Sequence, residues 1–368
     1  MAGLRGVVSY SVLGALFGWL LSACQAPPAG PVTSSHTKVE QRELSDRLSL
    51  DLPEAWGGQV RCGPQGCLLG VVEHERNAIV VHQLLPDRTS RFIASHKVPY
   101  HPDSAIWLSD DLLAAAVEDS GGVDIFRLSG GKLHKLQTIP AGFGPRDVVL
   151  VESEGGRYRM VATPYIGSDV TWMDWQVGGA EPAGVQRSRW CKSPWHPVKV
   201  SKLPQTAGGG LAVACLDDRS VVAVSGENWM AAPKVLAQFK VVPRQVKQSP
   251  SGRWLYVALE TGERNARIDL QTGELQWIPA SLEGSVSVEF LSEDLVIWGE
   301  DSRVRLQRIG AAGAVLESKE LRTSGFSTSL QLLDIDGDQH MDLVVLNSAG
   351  ARADVIFGPL WDKALQRP

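Results

Sequence analysis

Hydrophobic residues along this chain come in short runs separated by turn-forming residues, not in long amphipathic stripes. Seven apolar runs recur: Cys67-Leu-Leu-Gly-Val71, Leu112-Leu-Ala-Ala-Ala-Val117, Arg159-Met-Val161-Ala, Leu211-Ala-Val213-Ala, Trp254-Leu-Tyr-Val257-Ala, Leu295-Val-Ile297-Trp and Leu343-Val-Val345-Leu. With one reference position in each, the spacing runs from 40 to 52 residues, about 46 on average, which is the period of propeller blades. Each run is followed by a strand of alternating character, such as Gly122-Val-Asp-Ile-Phe-Arg-Leu128, Asp169-Val-Thr-Trp-Met-Asp-Trp175 or Ala353-Asp-Val-Ile-Phe357. Short alternating strands between Gly, Asn and Asp turns are an all-β signature. After residue 25 no stretch keeps a 3.6-residue period over three turns. A β-sandwich would not need seven copies at one period, so the pattern predicts a seven-bladed β-propeller.

A further strand follows in most copies, as in Arg91-Phe-Ile-Ala, His134-Lys-Leu-Gln-Thr-Ile139, Val235-Leu-Ala-Gln-Phe239 and Leu275-Gln-Trp-Ile278. The seventh copy shows none, which would leave an unpaired edge. Arg47-Leu-Ser-Leu-Asp-Leu52 precedes the first copy and alternates like a strand. It is predicted to supply the missing outer strand and to close the ring by joining both ends of the chain in one blade.

The N-terminus breaks the pattern. Val7 to Leu20 is apolar behind Arg5, and the stretch ends Leu21-Ser22-Ala23-Cys24. It is shorter than the ~20 apolar residues of a comfortable transmembrane helix and reads as a signal peptide. Small residues followed by a cysteine resemble a bacterial lipobox. That resemblance implies a diacylglycerol thioether on Cys24 as the first residue of the mature chain. Gln25 in place of Asp then points to the outer membrane. Pro27, Pro28, Gly30 and Pro31 mark a flexible tether. The expected organisation is a signal peptide over 1–23, a tether over 24–45 and the propeller over 46–368.

Composition adds compartment and partner class. With 36 Lys+Arg against 41 Asp+Glu the net charge is −5, which argues against a nucleic-acid partner. An exported chain meets oxidising conditions, and Cys24 leaves four cysteines. These permit three connectivities. Cys62 and Cys67 bracket a Gly-Pro-Gln-Gly turn, so the local solution pairs Cys62 with Cys67 and Cys191 with Cys215; buried free thiols are the alternative.

The sharpest chemical motif is Asp334-Ile-Asp336-Gly337-Asp338-Gln-His340-Met-Asp342. Oxygen donors at alternate positions suit Ca²⁺, with His340 offering its backbone carbonyl and Asp334, Asp336, Asp338 and Asp342 their carboxylates. A helix–loop–helix calcium site would need a Glu at position 12, which is missing, and strands flank the loop. Together with Leu343-Val-Val345 and Val355-Ile-Phe357-Gly358, the loop resembles FG-GAP/VCBS repeats, which build integrin-α-like seven-bladed propellers with Ca²⁺ loops between strands. The resemblance covers about residues 326–360. In blade five, Pro250-Ser-Gly-Arg-Trp254-Leu-Tyr256-Val257 and Ile268-Asp-Leu-Gln-Thr-Gly273 resemble the YVTN/lactonase-like repeat.

No Gly-x-Ser-x-Gly, His-Glu-x-x-His or P-loop is present. His74-Glu75-Arg76 reads as a solvated loop next to the channel. Arg146-Asp147, His196, Arg244 and Ser287 open inner strands, where satisfying turns and ladders is the plainer role and a polar ring for a ligand at the channel mouth the alternative. Trp172, Trp175, Trp190 and Trp195 read as packing between blades, with an exposed binding surface for sugar or protein as the alternative. The functional expectation is a lipid-anchored, non-enzymatic binding or assembly module of the cell envelope, with a protein or polysaccharide partner. The alternative is a lactonase- or sugar-active-like propeller enzyme using the central channel.

Overall fold

The computed structural model describes residues 46–63, 66–142, 144–179, 184–203, 208–226, 228–363 and 365–366. The signal peptide, the tether and Cys24 lie outside the described residues.

Seven antiparallel sheets form the seven blades of a β-propeller, six of them four-stranded and one five-stranded. The inner strands are Ala55–Gly63, Pro102–Trp107, Pro145–Glu154, Pro194–Val200, Val242–Gln248, Ser287–Phe290 and Ser327–Leu333. The seven apolar runs are the second strands. Their side chains are nearly all buried because each lies between two neighbouring blades. In the last blade Leu343 and Val345 pack with blade six, whereas Val344 and Leu346 pack with blade one. Successive side chains on a strand point to opposite faces, so a run apolar at every position is what a strand covered on both faces requires. Seven apolar clusters fill the seven gaps between blades.

The ring closes as expected. Arg47–Asp51 pairs antiparallel with Arg352–Ile356, with Leu48 opposite Val355 and Leu50 opposite Ala353. Leu50 and Leu52 enter the cluster shared by blades seven and one. At the other end, Leu365–Gln366 pairs with Lys319 and Glu320 on the outer strand of blade six. The short helix Leu360–Lys363 precedes it, with Leu360 buried against blades six and seven. The sequence pattern did not predict this C-terminal addition.

Blades fan outward, so neighbouring inner strands form no shared ladder, and side chains bridge them instead. Gln59 Oε1 accepts from Trp107 N at 2.7 Å, and Gln245 Oε1 from Val288 N at 2.7 Å. At the closing seam Gln331 Oε1 accepts from Val60 N and its Nε2 donates to Gly58 O, both at 2.7 Å. Buried backbone groups at a sheet edge need such partners.

Both disulfides form as the local connectivity predicts. Cys62–Cys67 joins directly opposed residues of the first hairpin. Cys191–Cys215 ties the connection entering blade four to the end of its second strand. Trp172, Trp175, Trp190 and Trp195 are all buried. Trp172 sits against Trp190 and Trp229, with centroids 5.8 and 4.8 Å away, in keeping with a packing role. Among the described residues no helix is long and apolar enough to cross a membrane.

Candidate functional site at the channel mouth

Six of the seven inner strands carry a register shift against their neighbour within a few residues of their start. The shifts fall between Ala55 and Gly58, Pro102 and Ser104, Pro145 and Asp147, Trp195 and Val198, Pro243 and Gln245, and Ser327 and Ser329. A bulge leaves one residue unpaired and re-aims its side chain. The residues inside these bulges include Trp56, Asp103, Arg146, His196, Arg244 and Thr328. Together with Ser104, Trp195 and Val286 they line one small cavity. Every blade contributes, which places this cavity on the channel axis. The local chemistry explains the bulges: Pro102, Pro145, Pro197 and Pro243 have no N–H to give to a ladder, so they sit at strand starts and bulges.

The cavity measures about 20 Å³, room for roughly one water. Arg146 plugs it. Its guanidinium carbon lies 3.6 Å from the Tyr165 ring centroid, 5.1 Å from Trp195 and 5.3 Å from Trp56. Its Nε donates to Asp103 Oδ2 at 3.1 Å. Arg244 flanks the plug, 5.9 Å from the Trp195 centroid, and pairs with Glu260 at 3.5 Å. His196 Nδ1 is 3.0 Å from Asp147 Oδ2.

His74 is buried, not solvated as its loop position suggested. Nδ1 lies 3.2 Å from Pro102 O and 3.2 Å from Asp103 Oδ1. Burial alone would lower its pKa, but the bond to Asp103 and that carboxylate's charge outweigh it and hold the pKa above the ordinary histidine value. The His101 ring stacks on it at 4.6 Å and 4°. His101 and His196 both adopt positive φ, 53° and 47°, a conformation that costs non-glycine residues free energy and concentrates at functional sites. Sequence reading singled out Arg146, His196 and Arg244 but not Trp56, Asp103 or His101. The available signal was the proline beside a charged residue at successive strand starts.

The Asp334–Asp342 loop lies at the far end of blade seven's inner strand. Asp334, Asp336 and Asp338 each bring a carboxylate oxygen within 4.8 Å of the others. Asp334 accepts from the Gly337 and Gln339 amides, and Asp338 from the His340 amide. Gly337 has φ 80°, the turn that glycine permits. Asp342 is buried, and its two oxygens accept from Ile335 N and Gly358 N at 2.8 Å; burial raises its pKa. Arg88 of blade one reaches across the closing seam to Asp336 at 2.8 Å, Asp338 at 3.3 Å and Asp46 at 3.2 Å. Burial alone would raise the Asp336 pKa, but Arg88 holds it below the ordinary carboxylate value. The donor set of Asp334, Asp336 and Asp338 fits a hard cation, with the Arg88 guanidinium as its built-in competitor.

A larger hollow, about 850 Å³, lies at the far end of blade three's inner strand. Part of its charge is paired: Arg159 binds Glu152 at 3.0 Å and Asp174 at 2.7 Å. Glu152, Ser153 and Glu154 form part of its lining.

No family model matches the chain, and no curated protein does. Solved structures match its fold. A chain of Kuenenia stuttgartiensis hydrazine synthase is similar at TM-score 0.64 and 13% identity, over 90% of this chain and 100% of that one. Virginiamycin B lyase from Staphylococcus aureus is similar at 0.56 and 11%, over 84% and 97%. The WD40 propeller domain of Doa1 is similar at 0.60 and 12%, over 84% and 95%. At these identities the likeness is one of fold.

Proposed function

We propose that this chain is a lipid-anchored, non-enzymatic binding module of a bacterial cell envelope, presenting the channel-mouth face of its propeller to a protein or polysaccharide partner. The observation that carries the reading is the bulge ring. Six inner strands give up ladder pairing at equivalent places to aim Trp56, Asp103, Arg146, His196, Arg244 and Thr328 at one point. The cavity behind Arg146 holds about 20 Å³, too little for a substrate at this point, so recognition falls to the rim. The anchor rests on the Leu21-Ser22-Ala23-Cys24 signature, and Ca²⁺ held by Asp334, Asp336 and Asp338 would brace the seam in the manner of the FG-GAP/VCBS type. A photoreactive residue at Glu75, on the rim, should capture one discrete partner in intact envelopes, whereas one at Asp110 should not. Cys24→Ser should release the protein from the membrane fraction. Equal capture from both positions, or membrane retention of the Cys24→Ser protein, refutes the respective half. The enzyme reading is favoured by one feature, the His74–Asp103–Arg146 chain of acid, base and cation; among the structures of similar fold is one named as a lyase. Rim variants that lose partner capture without any change in turnover of added lactones or glycosides argue against it.

A further inference from the structure

Above the plug, one ring nitrogen from each of His74 and His101 and one carboxylate oxygen of Glu75 lie within 4.8 Å of one another. We infer that these three residues bind a divalent transition metal such as Zn²⁺, at a second site chemically distinct from the acidic loop.

The argument begins with tautomers. Nδ1 of His74 faces only acceptors, the Pro102 carbonyl and the Asp103 carboxylate, each at 3.2 Å. A nitrogen between two acceptors carries the proton, so in the neutral ring Nε2 holds the free lone pair. That atom lies 4.0 Å from Glu75 Oε1. A carboxylate behind the far nitrogen of a ligating histidine is the usual support of a metal-bound imidazole. His101 has a similar partner, with Nδ1 3.6 Å from Glu118 Oε2.

A second observation points the same way. Asp103 Oδ1, on a side chain only 1% exposed, has the Nδ1–H of His74 at 3.2 Å as its one donor within reach among the described residues. A buried carboxylate oxygen without a donor is costly, which fixes the proton on Nδ1 and the lone pair on Nε2. A metal on Nε2 makes the Nδ1–H a stronger donor, and Oδ1 is the acceptor beside it. Two imidazoles and one carboxylate suit a borderline cation and leave an open position, as zinc sites with three protein ligands do. Hard Ca²⁺ would prefer the all-oxygen loop. Ligation at about 2.0–2.2 Å needs the donors to draw closer. The two rings are stacked nearly parallel, so for both to aim a nitrogen at one ion His101, partly exposed on the connection into blade two, has to rotate out of that stack.

The test uses untagged, chelator-stripped protein and Co²⁺ as a spectroscopic probe. The expected result is one equivalent bound, with a visible d–d band displaced by Zn²⁺. His101→Ala and Glu75→Ala, both on exposed or partly exposed side chains, should each weaken binding at least tenfold, while Asp336→Ala with Asp338→Ala leaves it unchanged. Absence of the band in the intact protein overturns the site, as does binding that survives both His101→Ala and Glu75→Ala.

Discussion

Closure of the ring by the strand Arg47–Asp51 makes a quantitative prediction. Leu50 and Leu52 are 3% and 1% exposed in the cluster between blades seven and one. A buried Leu→Ala substitution costs about 2–5 kcal/mol, the spread reflecting how far the cavity collapses. The two residues are joined by a 2.8 Å backbone bond from Leu52 N to Leu50 O and enter the same cluster, so their costs are not additive. For the double variant Leu50→Ala/Leu52→Ala we expect a loss of about 5 kcal/mol, against the roughly 5–15 kcal/mol total of a folded domain. Tryptophan fluorescence in urea is the assay. With a slope near 3 kcal/mol/M, the midpoint should fall by about 1–2 M. Val235→Ala, on an exposed outer-strand position of blade four, is the control and should stay within about 0.5 kcal/mol. If the double variant unfolds at the control's midpoint, or a chain lacking residues 46–54 melts like the intact protein, the strand does not close the ring.

Three further outcomes follow from the same structure. If the acidic loop holds Ca²⁺, chelation lowers the melting temperature, Asp336→Ala with Asp338→Ala abolishes that sensitivity, and Arg88→Gln raises Ca²⁺ affinity; an unchanged melt in chelator refutes the metal. Asp269 accepts from the Gln271 and Thr272 amides at 2.8 and 3.1 Å and from Arg253 at 3.0 Å. Burial alone would raise its pKa, but these partners hold it below the ordinary carboxylate value. Its stabilisation is therefore full above the unfolded value and lost as pH falls through the folded one. Asp269→Asn should cost about 2 kcal/mol near neutrality, a deficit that shrinks in an acid denaturation scan. Cys191→Ser/Cys215→Ser opens a loop with a sequence separation of 24 and should cost about 3 kcal/mol by equilibrium unfolding, a result distinguishable from mere reduction of Cys62–Cys67.

Repeat number, strand type and ring closure were legible in the chain because they rest on local pattern. A strand covered on both faces must be apolar throughout, and Leu343 to Leu346 show that plainly. The outer strand Arg47–Asp51 was legible because its alternation stood beside an edge that lacked a partner. Disulfide pairing followed from the turn between Cys62 and Cys67. The channel mouth was only half legible. Arg146, His196 and Arg244 stood out, but Trp56 and Thr328 look ordinary where they occur, and His74 looked solvated.

The sequence by itself determined that the chain is all β, repeats seven times and closes its ring with an N-terminal outer strand on the last blade, since burial on two faces and edge pairing are written residue by residue. Only the tertiary structure decided what meets at the axis. Residues from 56 to 328 become neighbours there because blade geometry superimposes equivalent bulges, and no local periodicity encodes that convergence. Tertiary structure likewise set Arg88 against Asp336, two residues 248 positions apart, where a guanidinium and a cation compete for the same carboxylates.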